Sequence, residues 1–154
     1  MSPNNDPFPA ETWPAPELAA LVADLSARPG MFVQPVSVGT VAAYIYGFNA
    51  ARGSGPLLGF REWLIVRVNG GNNLPWVSLV MQLAPPGPES EAVEDRERRR
   101  ISFMAETITE YLRYRQDNGV TKVYYDYGKW LLRKRWYRGP LRKRTKGDEA
   151  NGRR

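Results

Sequence analysis

The sequence predicts a mainly α-helical fold, a single compact domain of five or six helices. Apolar residues recur at spacings of three and four along most of the chain, which places them on one face of an α-helix. Clusters of proline and glycine interrupt these periodic segments and separate one predicted helix from the next. The length of 154 residues suits one domain with its own hydrophobic core.

The first two helices have recognisable starts and ends. The first begins at Pro16, a residue favoured at an initial helical position, and ends before Pro29-Gly30. Ser37 is suited to cap a second helix that runs to about Arg52. Each helix has one apolar stripe, formed in the first by Leu18, Leu21, Val22 and Leu25, and in the second by Val41, Ala42, Ile45 and Phe48.

The third and fourth helices are shorter and enclose a turn. The third is predicted from the helical spacing of Phe60, Trp63, Leu64 and Val68, although the β-branched run within 62–68 leaves a strand as the alternative. Residues 69–73 are rich in Asn and Gly and predict a turn. Pro75 then starts a fourth helix through Leu83, and three prolines between 85 and 88 end it.

A long fifth helix is predicted after Ser90. Its first turn is acidic, and the pairs Glu94–Arg98 and Asp95–Arg99 have the favourable i, i+4 order. Gly119 is suited to end this helix. Residues 120–137 fit a further helix, which we favour, but 120–127 also alternate as a strand does. An α+β fold with strands near 62–68 and 120–127 is therefore the alternative.

The helical domain is predicted to span residues 16–138. Residues 1–15 include four prolines and predict an extended N-terminal arm. Residues 139–154 have almost no apolar side chains to anchor them and predict a disordered basic tail.

The composition argues against several function classes. The chain has no histidine and no cysteine, which excludes a histidine-based triad, a thiolate nucleophile, a disulfide and a Cys-ligated zinc. It has no P-loop and no dinucleotide-binding glycine motif. We therefore expect no metal, no cofactor and no enzymatic activity. The N-terminus has no secretory signal and no segment suits a membrane span, so we expect a cytoplasmic location without membrane attachment.

Carboxylates are the remaining candidates for catalysis. Glu106 and Glu110 share a helix face at i, i+4, as some acid–base and metal-binding pairs do. Glu62 is a third candidate, next to an apolar stripe. Solvation or salt bridges explain all three more simply, and catalysis would require that the carboxylates converge in a pocket with raised pKa values.

Positive charge is concentrated towards the C-terminus. Residues 1–95 carry 4 basic and 9 acidic side chains, whereas residues 96–154 carry 18 and 7. Between Lys129 and Lys146 there are nine Lys or Arg and no carboxylate, and aromatic residues alternate with the first of these cations. This pattern suits an acidic protein or nucleic acid, but it also suits the solvated side of a core helix. The candidate binding residues are Tyr124, Tyr125, Lys129, Arg133, Lys134, Arg135, Trp136, Arg138, Arg142, Lys143 and Arg144.

Four short motifs resemble a group of small bacterial proteins of uncharacterised function that share an RPGM(Y/F) sequence. The motifs are RPGMF at 28–32, GFNAA at 47–51, GFREWL at 59–64 and GNNLPW at 71–76. The resemblance covers about residues 16–137. Some members of the group resemble immunity proteins of polymorphic-toxin systems, which implies a protein that binds a partner and occludes its active site.

The sequence therefore predicts a non-enzymatic protein-binding module, of the immunity type, with an acidic protein partner. The alternative is a nucleic-acid-binding accessory protein that uses Lys129–Lys146. The position of the aromatic residues at 124–137 bears on both. Their display on the surface would favour partner binding, because contiguous exposed aromatic area is uncommon on a monomer.

Overall fold

In the computed structural model, the described residues are 15–137 and 139, and they form five α-helices and no strand. These helices are α1 (Ala15–Ala27), α2 (Val38–Ala51), α3 (Phe60–Val68), α4 (Trp76–Leu83) and α5 (Val93–Leu132), with a 3₁₀ turn at Pro29–Met31. The predicted mainly helical fold is confirmed. The α+β alternative is wrong, because residues 62–68 lie within α3 and residues 120–127 lie within α5.

The terminal predictions mostly fall outside this part of the chain. Of the predicted N-terminal arm only Ala15 is described, and of the predicted basic tail only Gly139. The described helices include none with the length and apolar character needed to cross a membrane.

Helix boundaries follow the local signals in the sequence. Ser37 caps α2 as predicted: its Oγ accepts a hydrogen bond from the Thr40 amide at 3.1 Å, and Thr40 Oγ1 accepts one from the Ser37 amide at 3.1 Å. Asn69 ends α3 in the left-handed region, with φ of 59°. Pro75 precedes the first residue of α4, where its extended backbone starts the helix.

The predicted Asp95–Arg99 pair is replaced by a longer-range one. Arg99 donates to both carboxylate oxygens of Glu91, at 2.9 and 3.0 Å, and to the backbone oxygen of Pro85 at 2.8 Å. Two parallel hydrogen bonds to one carboxylate are stronger than an exposed i, i+4 pair. Arg99 therefore ties the proline-rich loop before α5 to the helix.

Gly119 divides α5 into two parts that fold back on each other. Its backbone, with φ of 78° and ψ of 157°, lies in a region that is essentially restricted to glycine. Tyr114 Oη lies 3.4 Å from Asp126 Oδ2, whereas twelve residues of a straight helix span about 18 Å. The first part (93–118) and the second part (120–132) therefore form a hairpin, which we call the α5 hairpin.

The core is built around α3 and the first part of α5. Phe60, Leu64 and Ile65 of α3 are fully buried, and the Phe60 ring lies 5.1 Å from the Tyr111 ring between centroids. Tyr111 donates its hydroxyl to the backbone oxygen of Leu58, and burial raises the pKa of this hydroxyl. The loop before α3 is thus held against α5.

Arg115 fastens the same loop. This buried side chain donates to the backbone oxygens of Gly55 and Pro56 at 3.0 and 3.1 Å. Hydrogen bonds from a cation to carbonyl groups are among the stronger ones in proteins. The start of α3 is therefore positioned from α5.

Candidate functional site

The second part of α5 and the turn that follows it have both a buried and an exposed side. Val123 and Trp130 are buried, and Tyr127 and Leu131 pack against the core. Tyr125, Leu132 and Trp136 are exposed by 59%, 71% and 55%, respectively. The aromatic segment is therefore partly core and partly displayed.

The buried side is anchored by Asn69 at the end of α3. The indole Nε1 of Trp130 and the ammonium of Lys134 both donate to Asn69 Oδ1, each at 2.9 Å. The Lys134 ammonium also lies 4.4 Å from the centroid of the Trp130 ring, and the Tyr127 ring stacks near Trp130 with centroids 5.9 Å apart. Asn69 therefore sets the orientation of the helix that carries the exposed side.

The exposed side combines large apolar side chains with cations. The ring of Tyr125 has the ammonium groups of Lys122 and Lys129 at 5.9 and 5.3 Å from its centroid. Leu132 follows Tyr125 after two helical turns, on the same side of the helix. We call this surface the aromatic–cationic face. On α5 it comprises Lys122, Tyr124, Tyr125, Gly128, Lys129, Leu132 and Arg133, and the following turn adds Arg135 and Trp136, whose ring packs edge-on against Trp130.

The charge of the face is almost entirely positive. Asp126 is the only carboxylate between residues 120 and 137. It accepts a hydrogen bond from Lys122, which raises the pKa of that ammonium group. No carboxylate within 15–137 lies within ion-pair distance of Lys129, Arg133 or Arg135. Their charge remains available to an acidic partner.

Tyr124 stands at the border of the face. Its side chain is 42% exposed, but burial of its hydroxyl raises its pKa and the charge of Glu62 on α3 adds to the shift. Tyr124 is therefore partly buried, and only part of its side chain is available to a partner.

Several of the predicted binding residues lie on this face, and others do not. Six are exposed: Tyr124, Tyr125, Lys129, Arg133, Arg135 and Trp136. Lys134 is half-buried and engages Asn69, so it holds the face in place instead of facing outwards. The remaining four lie outside the described residues: Arg138, Arg142, Lys143 and Arg144.

Sequence reasoning missed three contributors to this surface. Lys122 and Leu132 share the helix side of Tyr125, and their spacings of three and seven residues were a readable signal. The sequence around Asn69 indicates only a turn. Its contact with Trp130 joins residues 61 positions apart, and no local pattern reports such a contact.

The candidate catalytic carboxylates are surface groups with their own partners. Glu106 accepts a hydrogen bond from Ser102 at 3.2 Å, and Glu110 pairs with Arg67 at 3.0 Å. Both are exposed and line an open groove of about 480 Å³ between α1 and α5. Glu62 lies 3.8 Å from Arg61. The carboxylates within 15–137 form no group of three that could hold a metal ion.

No known protein family, curated protein or solved structure matches the chain. The aromatic–cationic face is the feature of the described residues that most resembles a binding site, since it combines exposed aromatic area with unneutralised charge.

Proposed function

We propose that the protein is a non-enzymatic, cytoplasmic binding module that uses the aromatic–cationic face to bind an acidic protein partner. The observation that supports this proposal is the display of Tyr125, Leu132 and Trp136, each more than half exposed, beside exposed cations. Trp, Tyr and Arg are the residue types that most often dominate the binding energy of protein interfaces. Contiguous exposed aromatic and apolar area is uncommon on a monomer and is typical of interaction sites.

A protein partner fits this face better than bases do. Leu132 is the most exposed large apolar side chain of the face, and an aliphatic side chain cannot stack on a base as a ring does. The Tyr125 ring already has two ammonium groups near it. An apolar patch bordered by cations suits a protein surface with an apolar centre and an acidic rim.

The resemblance of the RPGMF and related motifs to immunity-like proteins supports a finer form of the proposal. In this form the partner is an acidic enzyme whose active site the face covers. If the gene for such an enzyme lies beside this one, cells that express the enzyme should survive only when they also express this protein with an intact aromatic–cationic face.

A capture experiment tests the proposal. The full chain is immobilised and incubated with lysate of its own source at physiological salt, and the bound proteins are compared between the wild type and Tyr125→Ala/Leu132→Ser. We expect the double variant to lose the acidic protein that the wild type captures. Tyr44→Ala, which removes a ring that is 40% exposed on α2, is the control and should retain it. Equal capture by the wild type and the double variant would refute the proposal.

Nucleic-acid binding is a second candidate, favoured by the nine cations between Lys129 and Lys146. It predicts binding to a single-stranded oligonucleotide whose affinity falls steeply with salt. Arg133→Ala/Arg135→Ala should weaken it strongly, and Lys134 is retained because it holds Asn69. Binding that is undetectable or independent of salt would exclude this function.

A further inference from the structure

The geometry points to one occupant of the aromatic–cationic face: an acidic amphipathic α-helix of the partner, seated lengthwise along the second part of α5 over Gly128. This inference rests on the proposed function and specifies the partner's binding element.

The first argument is the shape of the apolar row. Tyr125, Gly128 and Leu132 follow one another at spacings of three and four on the exposed side of the helix, over about 10 Å. Apart from the neighbouring residues and the backbone of the helix itself, no heavy atom lies within 4 Å of the position that a Cβ would occupy at Gly128. The row is therefore a depression between two large apolar side chains, into which a ridge of another helix fits at close range.

The second argument is the arrangement of charge. Lys129 and Arg133 are exposed and four residues apart, so they lie together along one border of the apolar row. Lys122 and Asp126 continue this border towards the start of the second part of α5, and these two side chains pair with each other. The opposite border is formed by Tyr124 and Leu131, which have no formal charge. A complementary helix therefore has an apolar stripe and a row of Asp or Glu on one flank of it.

The third argument concerns the backbone. The second part of α5 is helical, so its amide and carbonyl groups between the ends are already paired within the helix. An extended peptide could not add to it through main-chain hydrogen bonds, as it would to a sheet edge. Recognition must run through side chains, and a helix is the element that matches helical spacing.

A second copy of this chain is a poorer occupant than an acidic helix. In an antiparallel pair of these helices, the border with Lys129 and Arg133 would meet its own equivalent. No carboxylate within 15–137 neutralises these two cations, so the pair would bring like charges together.

The test uses synthetic helical peptides as probes of the full chain. The probe has about 18 residues, with Leu at helical spacing and Glu along one flank, and a scrambled peptide of the same composition has the same charge but no apolar stripe. Binding is measured by fluorescence anisotropy at physiological salt. We expect the amphipathic peptide to bind at least about tenfold more tightly than the scrambled one.

Gly128→Gln is the decisive variant. Glutamine favours the helix and has open space at this position, so thermal unfolding followed by circular dichroism should show a stability at least equal to the wild type. Its side chain fills the depression, and affinity for the amphipathic peptide should fall about tenfold or more. Lys129→Glu/Arg133→Glu should also lose binding, whereas Arg98→Glu, at an exposed position in the first part of α5, should not.

The outcomes separate this inference from the proposed function. Equal affinity for the two peptides, no affinity for the amphipathic one, or wild-type affinity in Gly128→Gln would overturn the helix as occupant. The same holds if sedimentation reveals a dimer that Leu132→Ser dissolves, or if an oligonucleotide competes the peptide away. Even then, if the Tyr125→Ala/Leu132→Ser variant no longer captures the acidic protein, the proposed function is still supported.

Discussion

Replacement of Gly119 by alanine tests whether the α5 hairpin depends on a backbone conformation that only glycine adopts readily. A residue with a Cβ in this region costs about 1–3 kcal/mol. Apart from the neighbouring residues and the helix's own backbone, no heavy atom lies within 4 Å of the position that this Cβ would occupy, so the cost comes from the backbone conformation. Alanine also lowers the conformational entropy of the unfolded chain, which stabilises the fold by at most about 1 kcal/mol. We expect Gly119→Ala to destabilise the fold by about 1–2 kcal/mol.

Gly128→Ala is the matched control on the same helix. Its Cβ also meets no atom within 4 Å, but its backbone is helical, so alanine should stabilise the fold by about 1 kcal/mol. The two variants should then differ by about 2–3 kcal/mol, which corresponds to roughly 4–12 °C in Tm for a chain of this size. Thermal and urea unfolding followed by circular dichroism measure this difference. If Gly119→Ala were as stable as Gly128→Ala, the chain would not reverse at Gly119.

Three further variants test the contacts that position the face and the core. Asn69→Ala should destabilise the fold by about 1–3 kcal/mol in urea unfolding, because it leaves the buried indole of Trp130 without its acceptor. Tyr111→Phe should cost about 1–2 kcal/mol in the same assay, since a backbone oxygen loses its donor. Glu91→Gln should remove part of the acid dependence of stability. The hydrogen bond from Arg99 holds the pKa of Glu91 below 4.5, so the wild type should lose this contribution as pH falls from about 4.5 through the lower folded value.

Each of these variants has a control on the same element. Asn69→Asp keeps an acceptor and tolerates the left-handed backbone, so it should remain near wild-type stability, and a loss equal to that of alanine would contradict the role of the acceptor. Tyr114→Phe changes a half-buried hydroxyl with a long 3.4 Å contact and should cost less than Tyr111→Phe. Glu89→Gln, at an exposed position, should leave the acid transition of stability unchanged.

The helices could be predicted because their signals are local. Ser37, Pro29-Gly30 and Pro75 act on the residues next to them, and the apolar stripes report which side of each helix is buried. The strand alternatives failed because β-branched residues are weak evidence in short segments. Within 62–68, Trp63 and Leu64 are buried in the core of the helical fold, and this packing outweighs the weak strand preference of the β-branched residues.

The candidate site was predicted less completely, because it depends on contacts between distant segments. The sequence marked Gly119 as the end of a helix but did not show that the next helix folds back beside the first. That direction depends on the packing of Val123 and Trp130, and on the acceptor at Asn69. The sequence alone therefore places Lys134 on the outer surface, where cations are usually found, whereas in the structure its ammonium group is held inwards by Asn69.

The α5 hairpin has a consequence for how the molecule opens. The second part of α5 is joined to the first through one glycine, and it packs on the body through Val123, Trp130 and the acceptor at Asn69. Such a segment should unfold locally as one cooperative unit, below the free energy of global unfolding. Hydrogen exchange should then be faster in 120–132 than in 101–112, and a bound partner should slow it by mass action. The aromatic–cationic face would thus be present or absent as a whole, and the partner's concentration would set the fraction of molecules in which it is present.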